Sequence, residues 1–181
     1  KKLHFSNAQD AMDYNFALVT EERKFNGMFG KATIKFNTVI SNLDAYKTCG
    51  VLSNRKMQEA ADREIKTMHT KCVSADELIS ALSGGNQQKV IIGKWLERQP
   101  DILLLDEPTR GIDVGAKYEI YQLIINMAKA GKTIIVVSSE MPEILGITNR
   151  IAVMSNYRLA GIVETATTDQ EALLRLSARY L

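Results

Sequence analysis

Leu82-Ser-Gly-Gly-Asn-Gln-Gln88 and, about twenty residues beyond Ser83, Ile102-Leu-Leu-Leu-Asp-Glu-Pro108 are the stretches whose reading decides the fold. The first is a polar turn with two adjacent glycines, leading through Lys89 into the amphipathic Val90–Arg98 segment. The second is a short apolar strand that ends in two carboxylates. Near-continuous apolar strands fit a parallel sheet buried on both faces, and open α/β sheets bind ligands beyond the C-terminal ends of their strands.

Working outward, Thr133–Ser138 and Ile151–Met154 are further apolar runs and predict strands, and Phe16-Ala-Leu-Val-Thr20 predicts a short buried one. A helix-like stretch, Ala8–Tyr14, precedes that strand, and the charged Glu21-Glu22-Arg23-Lys24 loop follows it, closed by Gly27 and Gly30. Over Ala116–Lys129, Ile120, Leu123, Ile124 and Met127 share a helical face, with Asp113 as N-cap and Gly131 as stop. Arg158–Glu164 reads as a strand paired through the turn at Ser155-Asn156-Tyr157. Thr168-Asp-Gln-Glu171 has the capping-box pattern for a last helix that buries Leu173, Leu176 and Tyr180. Residues 31–81 differ in character and look helical. Met57, Ala61, Ile65 and Met68 form one apolar face that Ser53 or Asn54 could cap. The expected architecture is α/β, in three parts: 1–30, 31–81 and 82–181.

Phosphoryl transfer needs magnesium beside the β- and γ-phosphates and a group that orients the attacking water. Asp106 suits the metal shell and Glu107 suits the water-polarising base. A solvated Asp-Glu turn after a strand is the ordinary alternative, weakened by Pro108 and the Thr109–Asp113 run that follows. Ser83, Gly84 and Gly85 at a helix start let a phosphate approach backbone N–H groups that the helix dipole favours, with the serine hydroxyl as a further donor. An N-cap serine in a plain loop would look the same, but Gln87-Gln88-Lys89 and the strand beyond argue against it.

No stretch fits the phosphate-cradling Gly-x-x-x-x-Gly-Lys-Ser/Thr loop. Gly131-Lys132-Thr133 ends like one, yet Asn126 stands where its first glycine belongs and helix precedes it. Gly30-Lys31-Ala32 fails at its third position and at Phe25. His4 and His69 have no ligand partners in sequence and read as surface residues.

The chain has 181 residues, enough for one domain with a core plus an appendage. A net charge of +2 lends nucleic acid no support as a partner. Two cysteines, Cys49 and Cys72, make no metal cluster and suit a reducing cytosol. No apolar run approaches the length of a membrane span, and no signal peptide opens the chain. Starting at Lys1-Lys2 without a methionine, the sequence predicts that an upstream part has been removed.

Taken together, Leu82–Gln88, Leu103–Pro108, Gly111–Asp113 and Val137-Ser-Ser-Glu140 resemble the ABC transporter ATPase family, with a signature loop, a Walker B strand, a D-loop and a switch segment. Asn86-Gln-Gln-Lys89, Asp106-Glu-Pro-Thr-Arg-Gly-Ile-Asp-Val-Gly115 and Val19-Thr-Glu-Glu-Arg23 are similar to the C-terminal cassette of tandem-cassette monosaccharide importers. The nearest sugar class is galactose and methyl galactosides. The resemblance covers essentially the whole chain. It implies the α/β ABC core of the P-loop NTPase type plus a helical subdomain over residues 31–81, without the Walker A strand and loop.

Carried over by position, it also implies a set of roles. Glu21 stands at the Q-loop that contacts a membrane permease. Ser83, Gly84, Gly85 and Gln87 close over ATP held by the opposite cassette. Asp106 assists Mg2+, Glu107 polarises water, and Asp113 belongs to the D-loop. Ser139 takes the place of the switch histidine, and a hydroxyl has neither the imidazole's reach nor its charge. The implied partners are the N-terminal cassette, permease subunits and, indirectly, a sugar-binding protein, with no nucleic acid, at the cytoplasmic face of the bacterial inner membrane. In the family the P-loop strand lies between the strands that resemble Thr133–Ser138 and Ile151–Met154. Its absence predicts bare edges, direct closure or exchange with another copy, hence a chain that self-associates. The fragment alone is expected to be inactive. Two other readings stay open: a soluble tandem cassette acting in translation or DNA repair, and an interaction domain that kept the fold and lost the chemistry.

Overall fold

The structure, a computed structural model, describes residues 3–181. They form two compact units, one ending at Val137 and the other running from Ser138 to Leu181.

In the first unit, helix α1 (Ala8–Asp13) starts at Asn7, whose side chain accepts from the Asp10 amide. Asn15, at φ 60°, turns the chain into strand β1 (Phe16–Val19), and a π-helical turn, Arg23–Gly27, follows. Helix α2 (Ile34–Val39) is capped by Thr33 and continues as a 3-10 turn, Ile40–Tyr46. Strands β2 (Lys47–Thr48) and β3 (Val51–Leu52) form a small antiparallel hairpin. Helix α3 (Asn54–Thr67) is capped by Ser53, which accepts from the Lys56 amide, so the serine and not Asn54 fills that role. Helix α4 (Gly84–Leu96), strand β4 (Ile102–Asp106), helix α5 (Val114–Lys129) and strand β5 (Thr133–Val137) complete the unit. The reading of 31–81 as helical holds for α2, the 3-10 turn and α3; the β2–β3 hairpin interrupts it.

Strands β1, β4 and β5 pair in parallel in the order β1-β4-β5, with Leu18 opposite Leu104 and Leu104 opposite Ile135. Successive side chains of a strand face opposite sides of a sheet. On one side Ala17, Val19, Leu103 and Leu105 are buried. On the other, Leu18, Ile135 and Val137 are 46%, 51% and 56% exposed. The expectation of strands buried on both faces is therefore corrected: the second face leaves Leu18, Ile135 and Val137 open to solvent, with Leu104 partly buried between them and Phe16 packed edge-to-face against Phe5. Ile34, Ile79, Leu82 and Val90 make one buried cluster, and Val39, Tyr46 and Ala60 another.

In the second unit, helix α6 (Met141–Ile147) precedes the antiparallel pair β6 (Arg150–Ser155) and β7 (Arg158–Glu164), and helix α7 (Gln170–Ser177) closes the chain. Of the expected Ser155-Asn156-Tyr157 turn, Ser155 stays in the strand opposite Arg158, and Asn156 and Tyr157, both at positive φ, make a two-residue turn. Ile151, Val153 and Leu173 form the core. Asp169, accepting from the Ala172 amide, caps α7 in place of the capping-box threonine Thr168. Leu173 is buried as expected, whereas Leu176 is only partly so and Tyr180 lies beyond the helix end. The α6 helix, only 7 residues long, is too short to set a helical period in the sequence, even with a proline in its first turn to mark its start.

Candidate functional site

Strand β4 delivers Asp106 and Glu107 to the C-terminal edge of the sheet. Asp106 still pairs with Val137, and Glu107 leaves the strand at φ 44°, its amide donating to the Val137 carbonyl at 2.8 Å. A left-handed glutamate is uncommon, and such conformations persist where neighbouring structure over-determines them. Here the Glu107 carbonyl also accepts from the Arg110 amide at 3.1 Å, closing the tight turn before Gly111, itself at φ 66°. Beyond the turn Ile112 is buried, and Asp113 caps α5 by accepting from the Ala116 amide at 3.0 Å. The two carboxylates at the strand end are thus built by backbone hydrogen bonds rather than by a solvated loop.

Ser83 is the N-cap residue of α4 with no hydrogen bond from its hydroxyl to the helix start; the hydroxyl instead accepts from Asn86 at 3.0 Å. Gly85 is buried, and a Cβ there would lie 2.4 Å from the Ala116 Cβ, so α4 and α5 meet closely through this glycine. Between them opens a cavity of about 270 Å³, lined by Ser83, Gly85, Asn86, Asp113, Gly115, Ala116, Lys71 and Glu119. It brings the Ser83–Gly85 turn and Asp113 together. Gln87 turns away from it, its amide donating to the Leu82 carbonyl at 3.0 Å and the Ile79 carbonyl at 3.3 Å. Lys89, 2% exposed, donates to the His69 carbonyl at 2.9 Å and to Glu119 at 2.6 Å, tying α4 to α5. That hydrogen bond holds the Glu119 carboxyl below the usual carboxylate range.

Glu21 is ion-paired with Arg110, which joins the loop after β1 to the turn after β4. Alongside, the Arg23 guanidinium donates to the Arg110 and Gly111 carbonyls, both at 3.4 Å. Neither arginine was singled out for a role in the sequence; nothing local in a charged loop or in the Thr109–Asp113 run shows that they meet. Ser139 lies in the second unit and is exposed. Beside it the Ser138 hydroxyl donates to the buried Glu143 and accepts from the Glu140 amide, fixing the start of α6. His4 and His69 are exposed, as expected. Among the described residues no cluster of three or more His, Cys, Asp or Glu could hold a metal ion, and no helix is long and apolar enough to cross a membrane.

A parallel sheet ending in adjacent carboxylates, beside a glycine-started helix, is the layout of an ATP-binding cassette. The fold resembles the post-hydrolysis dimer of an ATP-binding cassette bound to ADP and Pi (TM-score 0.70, 23% identity, covering 88% of this chain and 68% of that one). It also resembles the ADP conformation of another ABC transporter cassette (TM-score 0.70, 17% identity, 93% and 66%). The ABC transporter family model matches residues 6–110, and the chain belongs to that family. Within it, the chain is 78% identical over its whole length to the galactose/methyl galactoside import ATP-binding protein MglA of Treponema pallidum, and equally so to that of Treponema denticola. The Vibrio vulnificus protein of the same name is 58% identical over 97% of the chain. The chain spans about a third of the length of these relatives, 35–36%.

Proposed function

We propose that this chain is part of the C-terminal nucleotide-binding cassette of an importer ATPase that couples ATP hydrolysis to uptake of galactose or a methyl galactoside. The observation that carries the reading is the 78% identity, along all 181 residues, to import ATP-binding proteins of that name. Residues 31–81 serve as its helical subdomain, and 1–30 and 82–181 as parts of the α/β core. It works at the cytoplasmic face of the inner membrane with the N-terminal cassette, permease subunits and a sugar-binding protein.

The donor set suits the nucleotide chemistry. Magnesium favours hard carboxylate oxygens, taking one or two from protein and the rest from water and phosphates. Asp106, held at the strand end by its pairing with Val137, is such a ligand. Bound there, Mg2+ would neutralise charge on the β- and γ-phosphate oxygens of ATP. Glu107 is the carboxylate that accepts the proton of the attacking water. Ser83, Gly84 and Gly85 present a hydroxyl and the first N–H groups of α4 to a phosphate of the partner cassette's ATP, with Gln87 holding the turn from behind and Asp113 facing the same cavity. Glu21 faces the permease. Ser139 makes the site that uses Asp106 and Glu107 slow, while the Ser83 turn serves the other one.

The 181 residues contain no Gly-x-x-x-x-Gly-Lys-Ser/Thr stretch, and without that cradle the fragment alone does not hold nucleotide. Calorimetric titration of Mg-ATP into the 181-residue chain is expected to show no binding; stoichiometric binding would mean that another segment cradles phosphate. The full-length ATPase, reconstituted with permease and binding protein, is expected to turn over ATP faster when galactose is present. A rate indifferent to galactose and methyl galactosides would remove the substrate class.

A further inference from the structure

Three contacts fasten the loop after β1 to helix α4. Lys94 Nζ donates to the Gly27 carbonyl at 2.6 Å. Ile91 packs on Gly27 so closely that a Cβ there would lie 3.2 Å from Ile91 Cδ1. At the start of α4, the Arg23 guanidinium lies against Gly84, where a Cβ would meet Nη2 at 2.8 Å. The loop that begins at Glu21 is therefore gripped at both ends of one helix. From Gly84 to Lys94 the helix runs about 15 Å at 1.5 Å per residue, and a helix moves as a body.

Lys94 is the odd member of this set. It is 8% exposed, and no carboxylate pairs with it among the described residues; its partners are one carbonyl and the face of Trp95, 5.1 Å away. Burial pulls its ammonium down to about 8 from 10.5. A buried charge without a counter-ion costs more than an apolar side chain of the same length, so stability does not select a lysine here. A methionine would fill the space at lower cost. What it could not do is hold the Gly27 carbonyl.

We propose that Lys94 is a positioning residue for the stimulation of ATP turnover by transport substrate, which holds the Gly27 end of the Glu21 loop on α4 so that displacement at Glu21 reaches the Ser83–Gly85 turn. The assignment rests on the functional reading above, in which Glu21 meets the permease and the Ser83 turn meets nucleotide. Lys94 itself touches neither.

The test uses the full-length ATPase with its permease and sugar-binding protein in liposomes, as wild type, Lys94→Met and Arg23→Gln. Thermal melting and ATP turnover with and without galactose are measured. Lys94→Met is expected to melt at or above the wild-type temperature and to keep its sugar-free turnover. Its stimulation by galactose falls about fivefold or more, the lower end of ordinary coupling between sites. Arg23→Gln, which cuts the fastening at the other end, lowers stimulation in the same direction. Stimulation unchanged in Lys94→Met overturns the proposal. So does a lower melting temperature with both rates reduced in proportion, since that is the signature of a merely structural lysine. A wild type that ignores galactose and every methyl galactoside removes the functional reading first, and the proposal falls with it.

Discussion

Glu64, on α3, shows how one buried carboxyl sets a pH dependence. Its Oε2 is buried without a hydrogen-bond partner, and burial, reinforced by the neighbouring Glu97 carboxylate, pushes its pKa up to about 7 from 4.5. Glu97 accepts in turn from the Tyr46 hydroxyl and from Arg63 at 2.7 and 2.9 Å. The folded-state value is the higher one, so between 4.5 and about 7 the folded chain binds the extra proton. Glu64 thus contributes stability that is fully present below 4.5 and lost as pH rises through 7. Glu64→Gln stays neutral throughout. Urea midpoints measured across that window are expected to fall for wild type relative to the variant; parallel curves would refute the shift. At the site, Glu107 tests the claim about Ser139. In the full-length transporter Glu107→Gln is expected to leave most ATP turnover intact, because the other site carries it; near-total loss in a coupled-enzyme assay would sink the idea.

Helix α4 has two consecutive glycines that look equivalent in sequence and are not. A Cβ at Gly84 would meet the mobile end of Arg23, which can swing aside. A Cβ at Gly85 would sit 2.4 Å from the Ala116 Cβ, on another helix, and only separation of α4 from α5 relieves that. Gly85→Ala is therefore expected to destabilise by about 1–3 kcal/mol, the usual cost of overpacking, and Gly84→Ala by much less, since alanine also favours helix. Chemical denaturation of both variants checks the order; equal costs would contradict the packing. Buried Lys89 reinforces the same junction through Glu119, so the α4–α5 contact that shapes the cavity is held by close approach and by charge.

The sheet of the first unit leaves Leu18, Ile135 and Val137 in solvent, and β5 has β4 as its sole strand partner among the described residues. An apolar face beside an unpaired edge is an association hazard. The 181-residue chain is expected to gain apparent mass with concentration in multi-angle light scattering. Ile135→Lys, which places a charge on that face, is expected to shift the chain toward monomer. A wild type that stays monomeric at high concentration would show that the face tolerates water.

The main strand positions, the α/β class, the Asp113 cap, the start of α3 at Ser53 or Asn54 and the paired carboxylates were legible along the chain, because each rests on local periodicity or on groups within a few residues of one another. The Asp169 cap was not, since Thr168 beside it competes for the role; nor were the β2–β3 hairpin and α6, since strands of 2 residues and a helix of 7 set no clear period. The cavity between α4 and α5 and the Glu21–Arg110 and Lys94–Gly27 links join residues 30 or more apart in sequence, and the open sheet face depends on strand pairing at similar separations. Nothing local encodes them: whether a lysine is solvated or buried, or an apolar strand covered or bare, follows from which elements come to lie against it.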